Sequence, residues 1–250
     1  MLEHTFQTPL PLTLEVSIPS GDIEVETDAA EETALTIDGD ERMLEAIEVR
    51  HDGNRVTVNM RDKGRFGISI GTLFGNGGLL VRARIPHGAS VKVKTASADT
   101  ELSGQFAKLE LNSASGDVRL RGQVAEDAKI KTVSGDVELD RVDGDLSVQC
   151  VSGDIRARAV AGSVDTKSVS GDIRLDALTA GDVRFTSVSG DIEIGIAQGS
   201  LIDVDAGSTS GDLTSDVPLG REPVSGEAGG PTVVLRGRTV SGDVRVFRAG

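Results

Sequence analysis

Eight aspartates share one local setting, and six of them fall in the run of repeats from residue 115 to 212. Asp117, Asp136, Asp154, Asp172, Asp191 and Asp212 each follow Ser-Gly and precede an aliphatic residue. No other ionisable group recurs so regularly, so collective chemistry in this chain would fall to these carboxylates. If the residues between them form stacked turns, the six lie along one edge. Like charges about 4.8 Å apart repel unless they are hydrogen-bonded or neutralised. Calcium between turns would neutralise them. Alternatively, each carboxylate could hold its own corner by accepting a backbone N–H. Calcium takes six to eight oxygens, and an Asp placed directly before the aliphatic residue leaves few carbonyls to complete that set. Corner-holding is therefore the expectation, with the six aspartates retained as calcium candidates and no cofactor expected.

Other reactive types are sparse. Cys150 is the single cysteine, which excludes an internal disulfide. A thiol nucleophile needs a nearby base or cation, and His4, His51 and His87 all precede the regular repeats. Two enzyme classes use stacked coils. Hexapeptide acyltransferases have an apolar period of six and commonly a coil-borne His as base, whereas the period here is nine. Polysaccharide-cleaving β-helices have longer coils and clustered carboxylates. Here the outward position two after Asp reads Arg119, Glu138, Arg156, Arg174 and Glu193, a mixed row suited to cross-coil charge pairing. No nucleotide-binding loop, zinc-ligand spacing or nucleophile elbow occurs. No catalytic residue is assigned, and the chain reads as non-enzymatic.

The repeat itself dictates the elements that carry these residues. Ser-Gly-Asp begins at Ser20, Ser115, Ser134, Ser152, Ser170, Ser189, Ser210 and Ser241, with a degenerate Ser-Ala-Asp at Ser97. From Ser97 to Ser189 the steps are 18, 19, 18, 18 and 19 residues, and then 21 and 31, which read as coils with inserted loops. Within this lies a finer period: Gly135, Gly144, Gly153, Gly162, Gly171, Gly181, Gly190 and Gly199 are nine apart, once ten. After each Gly-Asp the pattern alternates, as in Ile173-Arg174-Leu175, which is the signature of a strand with one buried face. Strand and corner at constant spacing give a coil, and coils stack in register. Three aliphatic columns follow: Leu109, Ala128, Leu146, Val164, Val183; Leu111, Ile130, Val148, Thr166, Phe185; and Val118, Val137, Ile155, Ile173, Ile192. Cys150 falls in a column of small residues with Ser113, Thr132, Ser168 and Ser187, a slot filled by a small side chain.

The expected fold is all-β: a parallel β-solenoid, β-helix- or β-roll-like, of about 18–19-residue coils, with an N-terminal β section as cap. Residues 1–95 would hold that section and a first coil around Ser20, continuous with the regular solenoid of 96–250. Strands around Asp52-Gly53-Asn54 read as a hairpin. The segment 62–78 carries six glycines with Phe66, Ile68, Ile70, Leu73 and Phe74, apolar residues that tuck against the cap or serve a partner or self-assembly. An inserted loop is expected at about 216–231. After Val244 and Val246 no cap follows, so the C-terminal coil is expected to be bare. Free strand edges invite pairing, so either Arg245 and Arg248 guard that coil by charge or it supports end-to-end homo-oligomerisation.

Composition limits the partners. Hydrophobic residues make up 38% of the 250 and aromatics 2%, so Val, Ile, Leu and Ala must fill the core. The formal charge of −14 repels phosphate backbones, so no nucleic-acid partner is expected. No run approaches the roughly 18 apolar residues of a membrane helix, so no membrane insertion is expected. The start lacks a basic segment followed by an apolar run, so a cytoplasmic location is expected unless a leader has been removed.

The Val-Ser-Gly-Asp-Ile units at 133–137, 151–155, 169–173 and 188–192 resemble those of the bacterial uncharacterised putative-adhesin family, a domain of unknown function. So do Pro-Ser-Gly-Asp-Ile-Glu-Val at 19–25 and Val-Arg-Ala-Arg-Ile-Pro at 81–86. The bactofilins, cytoskeletal polymers of stacked coils, are similar in architecture at a greater distance. The family resemblance implies a parallel β-solenoid with no catalytic residues to carry over. The expected function is a non-catalytic binding or scaffold protein with a protein or glycan partner. A self-assembling, bactofilin-like structural protein is the alternative, and a carbohydrate-active enzyme stands third.

Overall fold

A computed structural model describes residues 1–61, 78–217 and 230–249. Among the described residues twenty strands join in one sheet. The N-terminal strands are β1 (Leu2–Gln7), β2 (Thr13–Asp28), β3 (Glu32–Asp38), β4 (Ile47–Asp52), β5 (Arg55–Met60) and β6 (Leu80–Pro86), with a short helix α1 (Glu41–Ala46) before β4. The long β7 (Ala89–Asn112) begins the regular coils. These follow as β8 (Val118–Val124), β9 (Ala128–Lys131), β10 (Val137–Val142), β11 (Leu146–Gln149), β12 (Ile155–Val160), β13 (Val164–Lys167), β14 (Ile173–Leu178), β15 (Gly181–Ser189) and β16 (Ile192–Ile196). The last two coils are β17 (Leu201–Ser210) with β18 (Leu213–Ser215), and β19 (Thr232–Ser241) with β20 (Val244–Arg248). Among the described residues no helix is long and apolar enough to cross a membrane.

The fold is a parallel β-solenoid with two ladders, one on each side of a shared core. One ladder runs β8, β10, β12, β14, β16 and the other β9, β11, β13, β15, with all neighbours parallel. The three aliphatic columns stand in the expected register: Leu146 pairs with Ala128 and Val164, Val148 with Ile130 and Thr166, and Ile155 with Val137 and Ile173. Their side chains are almost fully buried. Each Val, Leu, Ile or Phe among them contributes roughly 1.5–3 kcal/mol, but only if the next coil covers it.

At the N-terminal end the first coil stacks directly on its successor although some sixty residues intervene. Thr13–Ile18 and Ser20–Glu26 of β2 pair in parallel with β7. On its other side β2 pairs with β5 and β6, and these are followed outward by antiparallel β4, β3 and β1. The β4–β5 hairpin turns at Gly53-Asn54, as its sequence indicates. Helix α1 has no counterpart in the sequence reading; Asp40 caps it, its Oδ1 accepting the Met43 N–H at 2.9 Å.

The C-terminal end corrects two expectations. The coils do not stack in chain order, and the C-terminal coil is not bare. β19 lies between β15 and β17, and β20 lies between β16 and β18. Both edges of the last-encoded coil are therefore paired, and the outermost described coil is 201–215. The registers make this exchange possible, because Val183 aligns with Leu235, which aligns with Val204. Side-chain fit favours the order seen. Gly237 sits against the Phe185 ring, where a β-carbon would collide, and the Phe247 ring lies over Gly195. The apolar residues of the 62–78 segment and the loop near 216–231 fall almost wholly outside the described residues.

Candidate functional site

The Ser-Gly-Asp corners form one continuous edge of the solenoid. Each Asp from Asp117 to Asp191 is tied to the coils on both sides, and Asp212, on the outermost described coil, is tied on one. The Asp136 carbonyl accepts the Val118 N–H at 2.8 Å, while the Asp136 N–H donates to Asp117 Oδ1 at 3.0 Å. The same bond links Asp154 to Asp136 at 2.9 Å, Asp172 to Asp154 at 2.8 Å and Asp191 to Asp172 at 2.8 Å. Asp99 starts the ladder by accepting from Asp117 at 2.8 Å. At the far end Asp243 stands between Asp191 and Asp212, with bonds of 2.9 Å on both sides. The structure thus brings five of the six sequence candidates together in order and separates Asp212 from Asp191 by one coil. One oxygen of each linked carboxylate is committed to a backbone N–H. Among the described residues no three His, Cys, Asp or Glu side chains gather as a metal-holding group.

At Gly153 glycine is required by conformation and by space. Gly153 has φ near +130°, and a β-carbon there would strike the Gly135 carbonyl oxygen. Backbone packing this close leaves no room for any other residue.

The small-residue column behind the corner is a second ladder. Thr132 Oγ1 donates to the Ser134 carbonyl at 3.0 Å, Ser168 Oγ to Ser170 at 3.2 Å, Ser187 Oγ to Ser189 at 3.1 Å and Thr239 Oγ1 to Ser241 at 3.0 Å. Cys150 occupies the same position, with Sγ 3.8 Å from the Gly153 carbonyl oxygen. Burial pushes its thiol up, and Asp136 and Asp154 push it further. That is the opposite of an activated thiolate. The histidines are remote: His4 and His51 flank Phe6 at the capped end, and His87 Nδ1 lies 2.8 Å from Thr27 Oγ1.

Just before each Ser-Gly-Asp stands a residue that the sequence reading did not weigh. Val133, Val151, Val169, Val188 and Val240 are 52%, 45%, 48%, 48% and 53% exposed. They lie on successive coils, since Ser134, Ser152, Ser170 and Ser189 bridge in turn and Ser189 pairs with Ser241. The five form an apolar ridge about 19 Å long at coil spacing. The signal was present in parity: each valine lies two residues after an outward position, so it must also face outward. Two residues before the ridge runs a row with no acid in it: Lys94, Asn112, Lys131, Gln149, Lys167, Thr186 and Arg238. Three residues after the ridge runs the Asp ladder.

The opposite ladder carries the mixed row as paired charge. Arg174 bonds Glu193 of the next coil, Arg158 reaches Asp140 at 3.0 Å and Arg156 reaches Asp176 at 3.2 Å. The Asp176 carboxylate raises the Arg174 pKa further. A surface depression of about 380 Å³ lies here, lined by Arg119, Arg121, Glu138, Asp140, Arg156 and Arg158. It is rich in guanidinium, unlike the paired-carboxylate cleft of glycoside cleavage.

A family model described as Toastrack DUF4097 matches residues 12–247. Among solved structures, the chain is similar to a putative adhesin from Bacteroides fragilis, with 16% identity and a TM-score of 0.56 over 98% of this chain and 96% of that one. It is similar to a putative adhesin from Parabacteroides distasonis at 12% identity and a TM-score of 0.54, covering 98% and 97%. A protein from the same organism, described as a putative lipid binding protein, has 12% identity and a TM-score of 0.58 over 98% and 96%. At these identities the likeness is one of fold. No curated protein matches the chain.

Proposed function

The chain belongs to the Toastrack DUF4097 family, and on that premise we propose that it is a non-catalytic binding scaffold of the adhesin type, which engages a partner along its Ser-Gly-Asp edge. The observation that carries this reading is the ridge of five half-exposed valines on consecutive coils. Single exposed aliphatics need no explanation, but a contiguous row marks an interaction surface. A rigid ladder holds the row straight, so little ordering cost attends binding. The site therefore binds by shape and repetition, and no group in it is activated for catalysis. The Asp ladder beside the ridge argues against an anionic lipid surface, which it would repel.

The test is capture in the producing cell. Wild type and a Val151→Glu, Val169→Glu variant are cross-linked in vivo, and their partners are identified by mass spectrometry. The expected result is a small set of partners lost from the variant while its circular dichroism is unchanged. Identical sets from both proteins would sink the reading.

A further inference from the structure

The rows flanking the ridge specify its occupant. Basic and neutral side chains lie on one side: Lys94, Lys131, Lys167 and Arg238, with Asn112, Gln149 and Thr186 between them. The Asp ladder lies on the other. Among the described residues Lys94 and Lys131 have no carboxylate within ion-pair distance; Lys167 reaches Asp165 at 3.6 Å and Arg238 reaches Asp205 at 2.7 Å. Asp136, Asp154 and Asp172 spend one oxygen on a backbone N–H and keep the other for a cation, whereas the second oxygen of Asp117 is held by Arg119 at 2.7 Å. The surface thus reads plus, apolar, minus across its width, and it repeats this at every second coil along its length.

Such a strip is complementary to itself. We propose that the partner is a second copy of this chain, docked side by side with the two solenoid axes parallel and a two-fold axis running between them along the same direction. That rotation lays valine on valine and puts each copy's lysine row against the other's aspartates. The antiparallel alternative sets lysine on lysine and aspartate on aspartate, which charge forbids. The ridge continues past the valines as exposed Ala114 and Ala96 at one end and Thr209 at the other, about 34 Å at coil spacing. A single row of side chains of that length covers less than the roughly 800 Å² per partner of a standard interface, so association is expected to be weak and concentration-dependent. This inference names the partner at the site proposed above and rests on that reading.

Sedimentation equilibrium over roughly 10 µM to 1 mM, the range in which so small an interface associates, decides it. Wild type is expected to rise from 26.0 kDa towards twice that mass. Val151→Asp with Val169→Asp is expected to stay monomeric, and Lys131→Glu with Lys167→Glu to weaken association at least tenfold. Orientation is read in a Cys150→Ser background, where Val133→Cys alone is expected to form a symmetric disulfide on mild oxidation. In the antiparallel arrangement Val133 faces Val240, and that variant does not cross-link. A wild type that stays monomeric at 1 mM overturns the second copy as occupant and leaves the binding reading to the capture experiment. A dimer indifferent to the valine changes overturns the surface, and a dimer without the Val133→Cys cross-link overturns the parallel arrangement.

Discussion

Each corner aspartate serves its neighbour's backbone more than its own. Asp154 Oδ1 holds the N–H of Asp172 one coil away, so for this bond the acceptor atom matters more than the charge. Asp154→Asn keeps an oxygen in place and is expected to change stability by less than about 0.5 kcal/mol. Asp154→Ala leaves that N–H without its partner and should cost about 1–2 kcal/mol. Urea unfolding of the two variants checks this, and equal losses would show that the bond is not the source. The hydroxyl of Thr166 is a contrary case. It lies in the aliphatic column between Val148 and Phe185, buried, with no hydrogen-bond partner for Oγ1. Thr166→Val removes an unsatisfied group at nearly constant shape and is expected to stabilise the fold by about 0.5–1.5 kcal/mol, read as a higher melting temperature. Sequence spacing placed both residues in their columns. It could not show that Asp bonds forward to the next coil, because that contact exists only after stacking.

The order of the coils is the element-scale surprise, and its origin is chemical sameness. Coils 181–196, 201–215 and 232–248 present aliphatics, a small hydroxyl residue and Ser-Gly-Asp in the same register, so any two can stack. Spacing alone therefore shows that these coils exist without showing which touches which. The choice rests on a few complementary pairs, Gly237 beneath Phe185 and Phe247 above Gly195, with Arg174 and Arg245 each 5.9 Å from the Phe247 ring centroid. Gly237→Ala is expected to cost about 1–3 kcal/mol through overpacking against the ring. In a Phe185→Leu background the same change should cost markedly less. A double-mutant cycle with no coupling would show that the pair does not set the order. The valine ridge was equally readable from parity, but outward parity says only that a side chain is exposed; its continuity across coils needed the stacking.

For the whole molecule, stability is a sum of coil terms and nearest-neighbour terms, while charge acts along the entire edge. Eight aspartates from Asp99 to Asp212 stand in one row of a chain carrying −14. Screening should relieve their repulsion, so raising sodium chloride from about 10 to 150 mM is expected to raise the melting temperature by a few degrees. Calcium chloride at matched ionic strength should do no more. A further rise at sub-millimolar calcium, reversed by chelator, would restore the metal reading of the aspartate ladder.

The inserted position of the last coil also bears on how the chain is made. A ribosome delivers residues 201–217 before residues 232–248 exist. At about 5–20 residues per second the neighbour arrives roughly 2–7 s later, far longer than a hairpin needs to form. Meanwhile the nascent 201–217 segment finds the exposed rim of 181–196 in matching register and can rest there. Residues 232–248 reach their observed place only by entering between those two coils. A chain stopped before residue 232 is therefore expected to moor 201–215 directly on the 181–196 rim.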